Sequence, residues 1–114
     1  MGREARVCAA EVLVRQPQET HPLRMQVGKL LAGLTITSIA AVRKWIGNYP
    51  GTPHLTAEPE ELTLGAATFV GEYISVPCEG GTHGTYYYVE VDFVCSDGAT
   101  RGGDGWVHVK DHDS

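Results

Sequence analysis

The sequence predicts an all-β protein, an antiparallel β-sandwich of about seven to nine short strands. Short runs of alternating apolar and polar residues recur along the chain, and turn residues, chiefly Gly and Pro, separate them at intervals of about eight to twelve residues. No window shows a sustained helical period. The chain of 114 residues, of which 42% are hydrophobic, is long enough for one domain with a single core.

The elements follow from these runs in chain order. The first strand is predicted at residues 7–14, and in the second Leu23, Met25 and Val27 alternate before Gly28 closes it. The remaining predicted elements are an apolar turn or helical turn at residues 29–33, a strand at 34–42, a loop or irregular edge at 46–54, one or two short strands around Pro59, a hairpin of residues 66–71 and 72–77, a strand at 86–95, a loop at 96–105 and a final strand at 106–110.

The most regular strand, at residues 86–95, follows the glycine-rich segment GGTHG at residues 80–84. A period of two divides its side chains into an inward set, Tyr87, Val89, Val91, Phe93 and Cys95, and an outward set, Tyr86, Tyr88, Glu90 and Asp92. A phosphate loop needs Lys before Ser or Thr and then a helix, whereas three tyrosines follow here, so GGTHG is interpreted as a hairpin turn. The inward Tyr87 near the start of its strand resembles a tyrosine corner, which predicts an immunoglobulin-like sandwich.

Charge and the length of the apolar runs disfavour nucleic acids and membranes as partners. The net charge is −5, and no basic stripe is present, so nucleic-acid binding is not expected. The longest uncharged stretch, residues 30–42, is shorter than the roughly twenty residues of a membrane helix. The first six residues carry charges and do not resemble a signal peptide. The protein is therefore expected to be made in a cytoplasm and to contact no membrane.

The three cysteines, Cys8, Cys78 and Cys95, lack the C-x-x-C spacing of a metal or redox site. Cys78 and Cys95 could pair between the sheets in an oxidising compartment, but three reduced, buried thiols are the favoured interpretation. Titration of the denatured protein without reductant should therefore find three thiols per chain. A value of one would show that a disulfide exists.

No catalytic or metal-binding constellation is evident. His108 and His112 are four residues apart, but on a strand and its tail this spacing does not bring them together as it would on a helix, and His83 lies at a turn tip. Asp97 and Asp104 lack the spacing and the terminal Glu of a calcium loop, and no G-x-S-x-G nucleophile elbow is present. The sequence thus predicts no metal, no cofactor and no enzymatic activity.

Surface aromatic residues are the candidate binding residues. Trp45, Tyr49, Tyr86 and Tyr88 are predicted to contribute to a protein interface, although outward tyrosines also serve as ordinary cross-strand pairs. Residues 1–20 are predicted to form an N-terminal strand or arm and residues 21–114 the sandwich, within a single domain. Because the N-terminal strand carries little charge, its edge is expected to be covered by its own sheet or by a neighbouring copy.

Several segments together resemble a family of small structural proteins of tailed bacteriophages and prophages, from the head and head–tail gene region. The resemblance covers roughly residues 16–111 and is carried by Leu31, Gly33, Thr35-Ile36-Thr37-Ser38, Gly80-Gly81-Thr82, Gly84-Thr85, Tyr87, Val89, Val91, Ser96, Gly98, Asp104-Gly105 and Val109, with QPQET before the second strand. Cys78, Cys95 and the loop at residues 45–54 depart from the family pattern.

The resemblance implies a virion-associated, immunoglobulin-like sandwich that acts by assembly with other virion proteins. The leading hypothesis is a capsid decoration protein or a head–tail or tail component, present in multiple copies or as a homo-oligomer and assembled in the host cytoplasm. Its interfaces are expected to include residues 1–20 or the loop at residues 45–54. The alternative is a carbohydrate-recognition module that uses the same aromatic residues as stacking platforms, and a small enzyme is the third hypothesis.

Overall fold

The computed structural model describes residues 6–8, 13–15 and 21–110. Strands account for nearly all the regular structure of these ranges, which confirms the all-β prediction. The elements are β1 (Arg6–Cys8), β2 (Leu13–Arg15), β3 (His21–Gln26), α1 (Gly28–Leu31), β4 (Ile36–Gly47), β5 (Thr56–Ala57), β6 (Leu62–Leu64), β7 (Thr68–Val70), β8 (Tyr73–Gly80), β9 (Tyr86–Cys95) and β10 (Thr100–Val109). Within these ranges, no helix is long and apolar enough to cross a membrane.

The strands form two sheets. In the first, which we call the front sheet, β10, β9, β4 and β5 are neighbours in that order, and β1 and β2 both pair in parallel with β10. In the second, the back sheet, β8 lies between β3 on one side and β6 and β7 on the other. All the pairings other than those of β1 and β2 are antiparallel.

Both sheets contribute side chains to one core. The back sheet supplies Leu23 and Met25 of β3, Leu62 of β6, and Ile74 and Val76 of β8, each at most 2% exposed. From the front sheet come the five residues predicted to face inward on β9, namely Tyr87, Val89, Val91, Phe93 and Cys95, each at most 1% exposed. The two-residue alternation of β9 is therefore confirmed, because its apolar face lies against the back sheet.

The glycine-rich segment is a turn, but the hairpin prediction is wrong. β8 belongs to the back sheet and β9 to the front sheet, so residues 81–85 carry the chain from one sheet to the other. The backbone N–H of Gly81 donates to Glu61 O at 2.7 Å, and that of Gly84 donates to Val109 O at 2.7 Å. Gly80, Gly81 and Gly84 all have positive φ angles, a conformation that favours glycine.

Tyr87 fastens this crossover to the core. Its hydroxyl accepts a hydrogen bond from the backbone N–H of Thr82 at 2.8 Å and donates to Oε2 of Glu61 at 3.0 Å. Burial, together with the Glu61 carboxylate, raises the pKa of Tyr87 above its usual 10.0. The neutral hydroxyl thus joins β9 to the turn that precedes it and to the residue before β6.

The last strand is longer than the sequence indicates. β10 begins at Thr100 and not at Trp106, and the antiparallel register pairs Gly102 with Asp92 and Gly105 with Val89. The predicted loop at residues 96–105 therefore shrinks to a tight turn, in which Gly98 N–H donates to Cys95 O at 2.8 Å. The closely spaced glycines remain in an extended ladder because β9 on one side and β1 on the other supply hydrogen-bonding partners.

The other predicted elements are close to the observed ones. The hairpin at Gly71, the helical turn and two short strands around Pro59 are confirmed, whereas β4 extends five residues beyond its predicted end, to Gly47. The predicted strand at residues 7–14 contains parts of β1 and β2, while residues 9–12 lie outside the described residues. Both described pieces pair with β10 of the same chain along one edge.

Candidate protein interface

Three aromatic residues form a row across the outer face of the front sheet. Trp45 of β4 and Trp106 of β10 are both register partners of Tyr88 on β9. Their ring centroids lie 6.2 Å and 5.0 Å from that of Tyr88. The row therefore links the three central strands through side chains as well as through backbone hydrogen bonds.

The loop after β4 folds back over this row. Asn48 N–H donates to Thr52 O at 2.7 Å, and Leu55 N–H donates to Ile46 O at 2.9 Å. As a result His54 packs edge-on against Trp45, with ring centroids 4.3 Å apart. The Tyr49–Pro50 peptide bond within the loop is cis.

Gly47 leaves room for this arrangement. A Cβ atom at Gly47 would lie 2.8 Å from two ring carbons of Trp106 and 2.9 Å from Pro53 O. The absent side chain thus lets the Trp106 ring approach β4 directly. The Trp106 ring thus lies against Gly47 at the end of β4 and within contact distance of Tyr49 in the returning loop.

A three-ring stack lies beside the row. Tyr86 is stacked on His108 at 4.0 Å with an interplanar angle of 4°, and Tyr49 is stacked on Tyr86 at 5.3 Å and 14°. Trp106 meets the Tyr49 ring edge-on at 5.2 Å. We use the name aromatic face for the set Trp45, Tyr49, His54, Tyr86, Tyr88, Trp106 and His108.

A buried polar layer borders the aromatic face. Glu90, Asp92 and Asp104 are 5%, 5% and 2% exposed. Arg43 Nη1 lies 3.0 Å from Asp92 Oδ2 and 3.7 Å from Glu90 Oε1. His54 Nε2 lies 3.1 Å from Glu90 Oε2, and the Tyr88 hydroxyl donates to Asp104 Oδ2. These contacts offset part of the cost of burying carboxylates.

The burial of this polar layer differs from the outward orientation that the sequence predicts for Tyr88, Glu90 and Asp92. Tyr88, Glu90 and Asp92 do lie on the face opposite the core, as the alternation predicts, but they are buried and not exposed. The reason is that the returning loop and the large side chains of neighbouring strands cover them. Tyr88 is only 7% exposed, and its ring packs against those of Trp45, His54 and Trp106.

The structure brings all four predicted interface residues together. Tyr49 is the most accessible of them at 44% exposed, and Trp45 and Tyr86 are partly buried. Sequence reasoning missed His54, Trp106 and His108. For the last two a signal was present, because alternation in the final strand places Trp106 and His108 on one face and Val107 and Val109 on the other.

The residues considered for metal binding are not brought together. Asp97 accepts the Ala99 N–H at 3.0 Å and pairs with both terminal nitrogens of Arg101 at 3.2 Å, whereas Asp104 lies under Tyr88. Among the described residues, no group of three or more His, Cys, Asp and Glu side chains could hold a metal ion. His112 lies outside the described residues.

The aromatic stack should weaken in acid. Burial lowers the pKa of His108 below its usual 6.5, with Lys110 and His83 acting in the same direction. The stability that the neutral ring contributes is present above pH 6.5 and is lost as the pH falls below it, because the unfolded chain takes up the proton first. Chemical unfolding at pH 7 and at about pH 5 should show a smaller loss of stability in His108→Phe, which keeps a ring but does not titrate. Equal losses in the two proteins would contradict this assignment.

Comparison with known proteins places this arrangement in a family. The family model described as podophage GP4 fiber-tail adaptor protein gp77 matches residues 15–107, which include β3 to β9 in full, most of β10 and only the last residue of β2. No curated protein and no solved structure matches the chain. Because the family model covers most of the sequence, the chain belongs to the podophage GP4 fiber-tail adaptor family gp77, a family of phage tail structural proteins.

Proposed function

We propose that this protein is a non-enzymatic virion component that joins a tail fibre to the phage tail by protein–protein contact. The observation that carries the proposal is the family match over residues 15–107. Of the positions expected from the sequence, the tail is the one that this family supports. The protein would reach the virion by assembly in the host cytoplasm, in several copies.

The strand order supports an immunoglobulin-like sandwich for this adaptor. β3, β8 and β6 follow the order of strands B, E and D, and β4, β9 and β10 follow that of C, F and G. β5 pairs with β4 as C′ pairs with C. The bond from Thr82 N–H to the Tyr87 hydroxyl has the form of a tyrosine corner, since Tyr87 lies near the start of the F-like strand.

The aromatic face is proposed as one of the interfaces of the adaptor. Tyrosine and tryptophan bury much apolar area with little loss of conformational entropy, and interfaces are enriched in them. Tyr49 is exposed, while the rings and carboxylates around it are fixed by stacking, by ion pairs and by hydrogen bonds. A partner would therefore meet a surface that needs little ordering on binding.

The N-terminal residues are proposed as a second element of assembly. We propose that residues 1–20 form an arm on the domain of residues 21–114. β1 and β2 pair with β10 of the same chain and so occupy that edge of the front sheet. An interface formed by the arm would then use its outer edge or its side chains and not the β10 edge itself.

The proposal is tested with the fibre protein and the fibreless tails of the phage that encodes this chain. Tyr49→Ala should weaken binding to one of these two partners by at least about tenfold, because truncation removes an exposed aromatic anchor. Tyr49→Phe keeps the stacked ring and should bind within about threefold of the wild type. Wild-type protein that binds neither partner would refute the adaptor function. A Tyr49→Ala variant that binds both partners normally would refute the aromatic face as the interface.

A further inference from the structure

A second exposed surface lies on the opposite side of the molecule. The outer face of the back sheet carries a groove of about 420 Å³, lined by Arg24, Thr68, Val70, Tyr73 and Ser75. Three adjacent strands contribute, since Arg24 of β3 and Thr68 of β7 are both register partners of Ser75 on β8. We call this surface the back groove.

Two large apolar side chains are left in solvent there. Val70 is 80% exposed and Tyr73 is 52% exposed, and they are direct cross-strand partners. Their side chains stand on the face opposite Ile74, which is fully buried in the core. Adjacent exposed apolar side chains at the rim of a groove are typical of a binding site and not of a solvated surface.

The charge of the back groove distinguishes it from the rest of the protein. The chain has a net charge of −5, yet Arg24 is the only charged residue among those that line the groove. Within the described part of the chain, Arg24 forms no ion pair, so its guanidinium is available to a ligand. A guanidinium binds carboxylates through two parallel hydrogen bonds.

We infer that the back groove binds an extended segment of a partner protein in which a carboxylate side chain lies beside an aliphatic one. The carboxylate pairs with Arg24, and the aliphatic side chain packs against Val70 and Tyr73. Ser75 lies between Arg24 and Thr68 across the three strands, and the hydroxyls of Ser75 and Thr68 can bond to the backbone of the segment.

This inference rests on the proposed function and extends it. An adaptor has to hold two partners at once, and the shared core separates the aromatic face from the back groove. A partner on one face therefore does not block the other. The back groove takes whichever of the tail and the fibre the aromatic face does not hold.

Site-specific photocrosslinking tests this division. The photoreactive amino acid p-benzoylphenylalanine is placed at position 49, 70 or 63 in the full chain, and each protein is mixed with purified fibre protein and with fibreless tails. Thr63 is an exposed residue of the same sheet that does not line the groove, which makes it the matched control. Position 70 should crosslink to one partner and position 49 to the other, whereas position 63 should crosslink to neither. The peptide captured at position 70 should contain Asp or Glu within two or three residues of Leu, Ile or Val.

The outcomes separate the two proposals. Crosslinking at position 49 alone would overturn the back groove and leave the adaptor function in place. Capture of the same partner at both positions, or of a peptide without an acidic residue, would also overturn the inference. In a binding assay, Arg24→Glu should lose at least about tenfold in affinity for the partner captured at position 70, whereas Arg24→Lys should lose less. Equal affinities for the two variants would overturn the role of Arg24.

Discussion

Gly80→Ala should destabilise the protein by about 3 kcal/mol. Gly80 has φ +80°, and a Cβ atom there would lie 2.5 Å from the backbone oxygen of Glu61. The left-handed conformation costs an alanine about 1–2 kcal/mol, and overpacking adds typically about 1–3 kcal/mol. If Glu61 O moved away to make room, its hydrogen bond with Gly81 N–H would weaken. The contact between the start of β6 and the crossover therefore cannot relax without a loss of stability.

Gly84→Ala is the matched control for this prediction. Gly84 has φ +84° in the same turn, but no atom lies within 4 Å of the site of its Cβ. Gly84→Ala should lose only the stability that the left-handed conformation costs an alanine, about 1–2 kcal/mol. Urea unfolding of both variants measures the difference. Equal losses at the two positions would show that the close approach of Glu61 is not the reason for a glycine at position 80.

Tyr88→Phe should cost about 2 kcal/mol of stability. The Tyr88 hydroxyl donates to the carboxylate of Asp104, and both residues are buried, at 7% and 2% exposed. Hydrogen bonds to charged groups contribute about 1.5–3 kcal/mol, and a buried carboxylate that loses a donor cannot replace it with bulk water. The ring itself stays in place between Trp45 and Trp106, so the variant isolates the hydroxyl.

Tyr86→Phe provides the comparison. Tyr86 lies two residues away on the same face and is stacked on His108, but its hydroxyl forms no hydrogen bond with the described residues. The Tyr86→Phe variant should lose no more than about 0.5 kcal/mol of stability. Thermal or urea unfolding of the two variants in parallel gives the contrast. A Tyr88→Phe variant as stable as Tyr86→Phe would show that the bond to Asp104 contributes little.

The inward face of β9 could be predicted because contact with a single core determines which side chains point inward. Tyr87, Val89, Val91 and Phe93 all meet the same core, and a period of two follows directly. The burial of Glu90 and Asp92 could not be predicted in this way. It depends on Arg43 and on the loop that returns over β4, which are distant in sequence and are brought close only by the register of β4 and β9.

The glycines show a second limit of sequence reasoning. The segment GGTHG has the same composition whether it reverses the chain within a sheet or carries it between sheets, and the bond from Gly81 to Glu61 that distinguishes the two is non-local. Conversely, Gly102, Gly103 and Gly105 have the composition of a loop but lie in β10. Trp106 and His108 were within reach of the alternation argument, so the size of the aromatic face was partly predictable.

The parallel pairing of β1 and β2 with β10 has a mechanical consequence. Arg6 pairs with Gly102, and Arg15 pairs with Val109, so strands from near the two ends of the chain lie side by side and point in the same direction. A pull that separates Arg6 from Val109 acts along these strands in opposite senses. The force therefore acts in shear on all their hydrogen bonds at the same time and does not break them one after another. The paired strands therefore resist tension along their length, which is consistent with the link between fibre and tail that we propose.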